Sequence, residues 1–156
     1  DDRIVVGEAL NRSANTNNQP AVAIELPDGR IVTGKTSDLL GAAAAALLNA
    51  VKALGGIDKE VHLVDPKLIK PIQKLKIDML GNQNPRLHSD EVLISLSISA
   101  AENEAARIAF NQLSNLRGCE AHSTVILSQV DEDTYRRLGI NLTCEPQYQT
   151  KKLYHK

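Results

Sequence analysis

Apolar residues recur along this chain in two rhythms, one suited to helices and one to strands. Between Arg3 and Ala14, Ile4, Val5, Ala9 and Leu10 stand in a polar remainder, which predicts a short helix ending at the polar run Asn15 to Gln19. Ala21 to Leu26 and Arg30 to Thr33 are β-prone runs on either side of Pro27-Asp28-Gly29. Pro fixes φ, Asp bonds its own backbone and Gly accepts positive φ, so the tripeptide predicts a tight reversal and the two runs a β-hairpin. Leu40, Ala43, Ala44, Leu47, Leu48, Val51 and Leu54 then fall at helical spacing. They predict a helix over Asp38 to Leu54, stopped by Gly55-Gly56, whose alanines allow close approach to a sheet.

Val61 to Val64 reads as a short strand ended by Asp65-Pro66, with Pro66 in the first turn of a helix running to Leu80 and stopped by Gly81. Asn82 to His88 reads as a loop. Ser89-Asp90-Glu91 is a helix-start pattern, although the alternation Ile94, Leu96, Ile98 also fits a strand. Ala101 to Leu116 predicts a further helix, Thr124 to Leu127 a strand, Glu132 to Leu138 a helix stopped by Gly139, and Ile140 to Thr143 a last strand. Alternating α and β elements of these lengths imply an α/β fold: a three-layer α/β/α sandwich with a mixed, mostly parallel sheet, the hairpin adding one antiparallel strand. The element order resembles the cytidine-deaminase-like fold, a likeness that carries little about function by itself.

A chain of 156 residues with 42% hydrophobic content can bury one core, so residues 1–156 are expected to form a single domain. With 18 Lys+Arg against 19 Asp+Glu there is no field to draw nucleic acid or an anionic membrane, and an aromatic share of 3% without Trp leaves little for base stacking. The longest apolar run, Leu39 to Ala46, is too short to span a bilayer, and no signal segment opens the chain. Cys119 and Cys144 read as reduced thiols of a cytoplasmic protein. The start at Asp1-Asp2-Arg3, without Met, suggests a domain cut from a longer chain.

The stretch Ile24-Glu25-Leu26-Pro27-Asp28-Gly29, followed by Ile31-Val32-Thr33-Gly34-Lys35-Thr36-Ser37, is similar to the C-terminal domain of a bacterial family known as domain-of-unknown-function family 1846. The likeness continues through Asn84-Pro85-Arg86-Leu87-His88, Arg117-Gly118-Cys119-Glu120-Ala121-His122-Ser123 and the tail from Cys144-Glu145-Pro146 to Lys156. It implies a cytosolic protein with a larger N-terminal remainder as its partner, and it supplies no activity or cofactor.

Gly29 to Thr36 satisfies the phosphate-loop spacing G-x-x-x-x-G-K-[ST], and Val61 to Asp65 can pass for its magnesium-binding strand. A phosphate loop needs irregular backbone between its glycines, whereas Arg30-Ile31-Val32-Thr33 suits a strand, so the pattern is read as part of the hairpin. A second use survives. If Gly34-Lys35-Thr36-Ser37 enters the Ala-rich helix, free amides, a hydroxyl and the Lys35 ammonium can hold a carboxylate or phosphate; the plainer alternative is that Thr36 or Ser37 merely caps the helix. Where zinc deaminases carry their ligands this chain has Thr36-Ser37-Asp38 and Asp65-Pro66-Lys67, so no zinc is expected. Cys119-x-x-His122 suggests a Cys–His pair at a strand end, or else a partly buried thiol beside a hydrogen-bonded His.

Two classes of function follow. One is binding of a small anionic or nucleotide-like ligand by Gly34, Lys35, Thr36 and Ser37, with a second wall from Arg86, His88, Arg117, Cys119, Glu120 and His122. It requires the strand after Arg117 to run antiparallel to Arg30 to Thr33, since otherwise the two loops lie at opposite ends of the sheet. The other is a structural or homo-oligomerisation domain supporting an N-terminal catalytic part.

Overall fold

The structure is a computed structural model that describes residues 3–146. In chain order it runs α1 (Ile4–Ala14), β1 (Ala21–Glu25), β2 (Ile31–Lys35), α2 (Ala42–Leu54) and α3 (Pro66–Lys74). A π-helical turn (Leu75–Met79) extends α3, and α4 (Ser89–Ala100), α5 (Glu104–Asn111), a 3₁₀ turn (Leu113–Leu116), β3 (Glu120–Ser123), α6 (Gln129–Arg137) and β4 (Asn141–Cys144) follow. The four strands form one mixed sheet in the order β2-β1-β3-β4. No helix among the described residues is long and apolar enough to cross a membrane.

The hairpin forms as the sequence suggests, with Gly29 at φ +91° and the Asp28 carboxylate accepting from the Arg30 amide at 3.0 Å. The sheet, however, is not mostly parallel. β1 is antiparallel to both β2 and β3, and only β3 and β4 run parallel, joined by α6. One expected strand is absent and another is displaced. Val61 to Val64 forms no strand; it follows bends that bury Leu63 and Val64 in the core, and a short apolar run does not by itself distinguish the two outcomes. The strand expected at Thr124 to Leu127 lies earlier, over Glu120–Ser123. Thr124 leaves the ladder by exchanging bonds with Ala21: its amide donates to the Ala21 carbonyl, and its hydroxyl accepts from the Ala21 amide. Val125 and Leu127 then enter the core as loop residues.

Alternation along β1 sorts the two faces. Val22 and Ile24 join Ala121 and the buried alanines of α2 in the main core, while Ala23 packs with Val5 and Ala9 of α1 and with Ile31. The helix α2 starts at Ala42, four residues later than the spacing suggests. The Ser37 hydroxyl is occupied with a local turn, accepting from the amides of Leu39 and Leu40, while Leu40 and Leu87 form a lone β-bridge.

Gly34 shows how closely α2 lies on the hairpin: a Cβ there would come within 2.7 Å of the Ala45 carbonyl carbon and the Ala46 Cα. Backbone cannot yield as a flexible side chain does. Gly34→Ala should therefore cost about 3–5 kcal/mol, in the range of severe overpacking. Denaturant unfolding of the purified protein checks this, and a change within about 0.5 kcal/mol would show that α2 stands off the sheet.

Candidate functional site

The candidate residues fall at two ends of the sheet. Because β2 and β3 are each antiparallel to β1, they are parallel to one another. Lys35, which ends β2 opposite Ala21, therefore lies at the end where β3 finishes, and the Arg117 to Cys119 segment entering β3 lies at the far end beside Glu25. The antiparallel relation that would join the Gly34 and Arg117 loops does not occur. Gly34 and Lys35 are strand residues, and the helix-start role assigned to Gly34-Lys35-Thr36-Ser37 falls to Gly41 and Ala42 instead.

At the far end, Arg117, Gly118, Cys119 and Glu120 line an open hollow with Glu25, Leu26 and Pro27. Cys119 and His122 do not meet there, because three residues along an extended strand reverse the side-chain direction. Cys119 belongs to the main core with Ala121, whereas His122 shares its face with Ala23 and Glu120. Burial, with smaller contributions from the carboxylates of Glu25 and Glu120, pushes the Cys119 thiol up from its ordinary value. The buried His122 bridges two groups: Nε2 donates to the Glu145 carboxylate at 2.6 Å, and Nδ1 shares a hydrogen bond with the Thr143 hydroxyl at 2.7 Å. Arg3 reaches across from the start of α1 to Glu120, the Ala121 carbonyl and Thr143. Among the described residues, no three His, Cys, Asp or Glu side chains are grouped to hold a metal ion.

At the near end a small cleft gathers the starts of three helices. Its walls come from Gly41 to Ala43 of α2, Asn84 to His88 before α4, and Ser128 and Asp131 of α6, with Pro20 beneath. The cavity is about 20 Å³, enough for one water-sized group. Two of the helix starts are capped by side chains. The Glu91 carboxylate accepts from the His88 amide at 2.7 Å, and the buried Asp131 carboxylate accepts from the amide and hydroxyl of Ser89 at 2.8 and 2.6 Å. Ser128 caps α6 itself. In contrast, α2 has no side-chain cap; Gly41 donates its own amide to Leu87, and the first-turn amides beyond it have no intrahelical acceptor.

Arg86 and His88 belong to this cleft. Arg86 donates through Nε to the Ser37 carbonyl, which ties the two loops together. Lys76 braces the same segment from behind: its buried ammonium donates to the Arg86 carbonyl at 2.6 Å and to Glu91 at 2.8 Å. Thr36, between Lys35 of β2 and Ser37, is buried, its amide bonded to the Pro20 carbonyl and its hydroxyl without a protein partner among the described residues. Lys76 and Asp131 are absent from the residues that the sequence singles out, and Ser89 is read there only as a helix start. The His88-to-Glu91 spacing was a legible capping signal, but nothing in sequence joins Asp131 to Ser89 across 42 residues.

Two outcomes follow. Cys119, buried and with its thiol pushed up, should react with iodoacetamide in the native protein at pH near 7 at least about tenfold more slowly than free cysteine. Mass spectrometry of timed samples checks this, and labelling at the free-thiol rate would place Cys119 outside the core. For Glu91, burial raises the carboxyl, but hydrogen bonds from Lys76 and the His88 amide and the charges of Lys76 and His88 outweigh it, leaving the group below its ordinary 4.5. A depressed carboxyl stabilises the fold fully above its unfolded value and loses that contribution as pH falls through the folded one. The melting temperature should therefore drop below pH 4.5, and Glu91→Gln should lower it at neutral pH and flatten that acid limb. An unchanged acid limb in the variant would remove Glu91 from the balance.

Comparison with known proteins gives the chain its place. The model of the family described as "Domain of unknown function DUF1846, C-terminal" matches residues 1–154. A UPF0371 protein of Corynebacterium urealyticum is 57% identical over 99% of this chain and 31% of its own length. UPF0371 proteins of Corynebacterium efficiens and Streptococcus pyogenes serotype M1 are 58% and 53% identical over the whole chain, again 31% of their own lengths. The chain thus spans about a third of the bacterial relatives it matches. It belongs to the DUF1846 C-terminal domain family, whose function is unknown.

Proposed function

We propose that the domain binds a small oxyanion, the carboxylate or phosphate group of a ligand, in the cleft where α2, α4 and α6 begin. One observation carries this reading: of three helix starts brought to one cleft, α2 alone has no side-chain acceptor, and Ala42 and Ala43 of its first turn line the cavity beside Arg86. First-turn amides and the partial positive charge of a helix N-terminus favour an anion. Arg86 adds a full charge with forked geometry, since Nε is spent on Ser37 and the terminal amino groups make no protein hydrogen bond among the described residues. The nearby negative charge of Asp131 is engaged by Ser89 and Ser128. A cavity of about 20 Å³ holds one water-sized group, so a single oxygen of the oxyanion would enter it and the rest of the ligand, any nucleotide-like body included, would lie outside.

A second reading is favoured by the separation of the other candidates. Arg117, Cys119 and Glu120 sit at the far end of the sheet and His122 faces α1. With the chain spanning 31% of its relatives' lengths, the domain would then serve to support the rest of a longer protein.

Thermal denaturation of the full-length protein with inorganic phosphate, and with small mono- and dicarboxylates, separates the readings. Binding to the native state raises the melting temperature, and saturation at about 100 times the dissociation constant corresponds to about 2.7 kcal/mol. Arg86→Ala should weaken that response about tenfold, while Arg117→Ala at the far end should leave it unchanged. No response in the wild type, or an equal one in Arg86→Ala, would remove the oxyanion reading.

A further inference from the structure

The helix α4 departs from the pattern of a surface helix. Its inner side buries Val92 and Leu96, with Ser89 and Ser95 also buried. Ile94 and Ile98, one turn apart on the opposite side, are each 59% exposed. From Val92 to Ala100 the helix carries no charged residue. A solvated helix face in a globular protein is normally rich in Lys and Glu, whereas a helix apolar all round is one covered on all sides. The serines add little polarity: the Ser97 hydroxyl donates to the Ile94 carbonyl at 2.6 Å and that of Ser95 to the Glu91 carbonyl at 3.0 Å, so both are spent on the helix backbone.

We propose that this outer face of α4, centred on Ile94 and Ile98, is the surface against which the N-terminal portion of the full-length protein packs. The inference deepens the supporting-domain reading and rests on it. More than two thirds of each relative lies outside the matched stretch, and the matching family model describes a C-terminal domain, so the missing mass precedes this one in the same chain. The size of the patch favours a tethered occupant over a second copy. Two isoleucines on one uncharged stretch of helix are a small apolar area, whereas a stable homodimer needs about 800 Å² from each partner. A covalently linked domain binds at high effective concentration and is held by far less surface. Its contacting face is correspondingly apolar and uncharged, because a charge brought against Ile94 and Ile98 would be desolvated without a partner.

The test uses full-length protein carrying a photo-crosslinking amino acid in place of Ile94, and separately of Ile98 in case the first substitution disturbs folding. Heavy- and light-isotope preparations are mixed before irradiation. The expected product is a cross-link within one chain to a residue N-terminal to this domain. Cross-links between heavy and light chains, or none at either position, overturn the proposal. Calorimetry of the wild-type full-length protein tells its failure apart from that of the broader reading. One cooperative transition without the expected cross-link moves the supporting contact to another face, whereas two independent transitions remove the supporting role as well.

Discussion

The strand β1 has hydrogen-bonding partners on both edges and apolar layers on both faces, and the rest of the molecule follows from that position. Ala21 to Ile24 are wholly buried, so every peptide group there needs a partner within the protein. β2 satisfies one edge through the hairpin and β3 the other, both antiparallel. Once both edges are paired this way, β2 and β3 point in the same direction, and the loop leaving β2 lies a full strand length from the loop entering β3. This constraint separates Lys35 from Arg117, and it brings the end of β2 and the end of β3 to the side where α2, α4 and α6 begin.

Local chemistry was legible wherever one signal dominated. The Pro27-Asp28-Gly29 reversal, the glycine stop of the Ala-rich α2 and the Ser89 helix start all stand where the residues indicated. The misreadings share a cause: the expectation assigned a polar or apolar run to one job when tertiary contacts gave it another. Ser37 looked like a helix cap, yet its hydroxyl closes a turn that delays α2. Val125 and Leu127 looked like strand residues, yet the ladder is made by Glu120 to Ser123, whose outward Glu and His are absorbed by Arg3, Thr143 and Glu145. The Cys119 and His122 spacing left open a Cys–His pair or a partly buried thiol beside a hydrogen-bonded His; in an extended segment an odd separation sends the two side chains to opposite faces, which rules out the pair.

The π-helical turn after α3 illustrates a reversal that no periodicity could announce. Leu75, Met79 and Leu80 are exposed there while Lys76 is buried at 3% exposure, the inverse of what hydrophobicity alone would assign. The i to i+5 bond from the Leu80 amide to the Leu75 carbonyl shifts the helical phase. That shift carries the Lys76 ammonium inward to the Arg86 carbonyl and Glu91. A buried ammonium is costly unless its donors are matched, and here a carboxylate and a carbonyl match it. The same bonds fix the backbone from which Arg86 projects, so a local irregularity on one helix holds a loop ten residues away.

The electrostatics of the cleft then depend on how its charges are divided among helices. Asp131 accepts from the amide and hydroxyl of Ser89 at the start of α4, and Glu91 from the His88 amide and the Lys76 ammonium, so both acids near the cleft are bonded to groups other than α2 and Arg86. Had either acid capped α2 directly, the first-turn amides would be satisfied from within and Arg86 would face a carboxylate already in place. With that cap borne by Gly41, which has no side chain to offer, the positive end of α2 and the Arg86 guanidinium border the same small volume as the Asp131 carboxylate, whose Ser89 and Ser128 donors are neutral. Under the oxyanion proposal a single anion would meet the helix end and the guanidinium at once, whereas a neutral ligand of the same size would leave the guanidinium charge uncompensated.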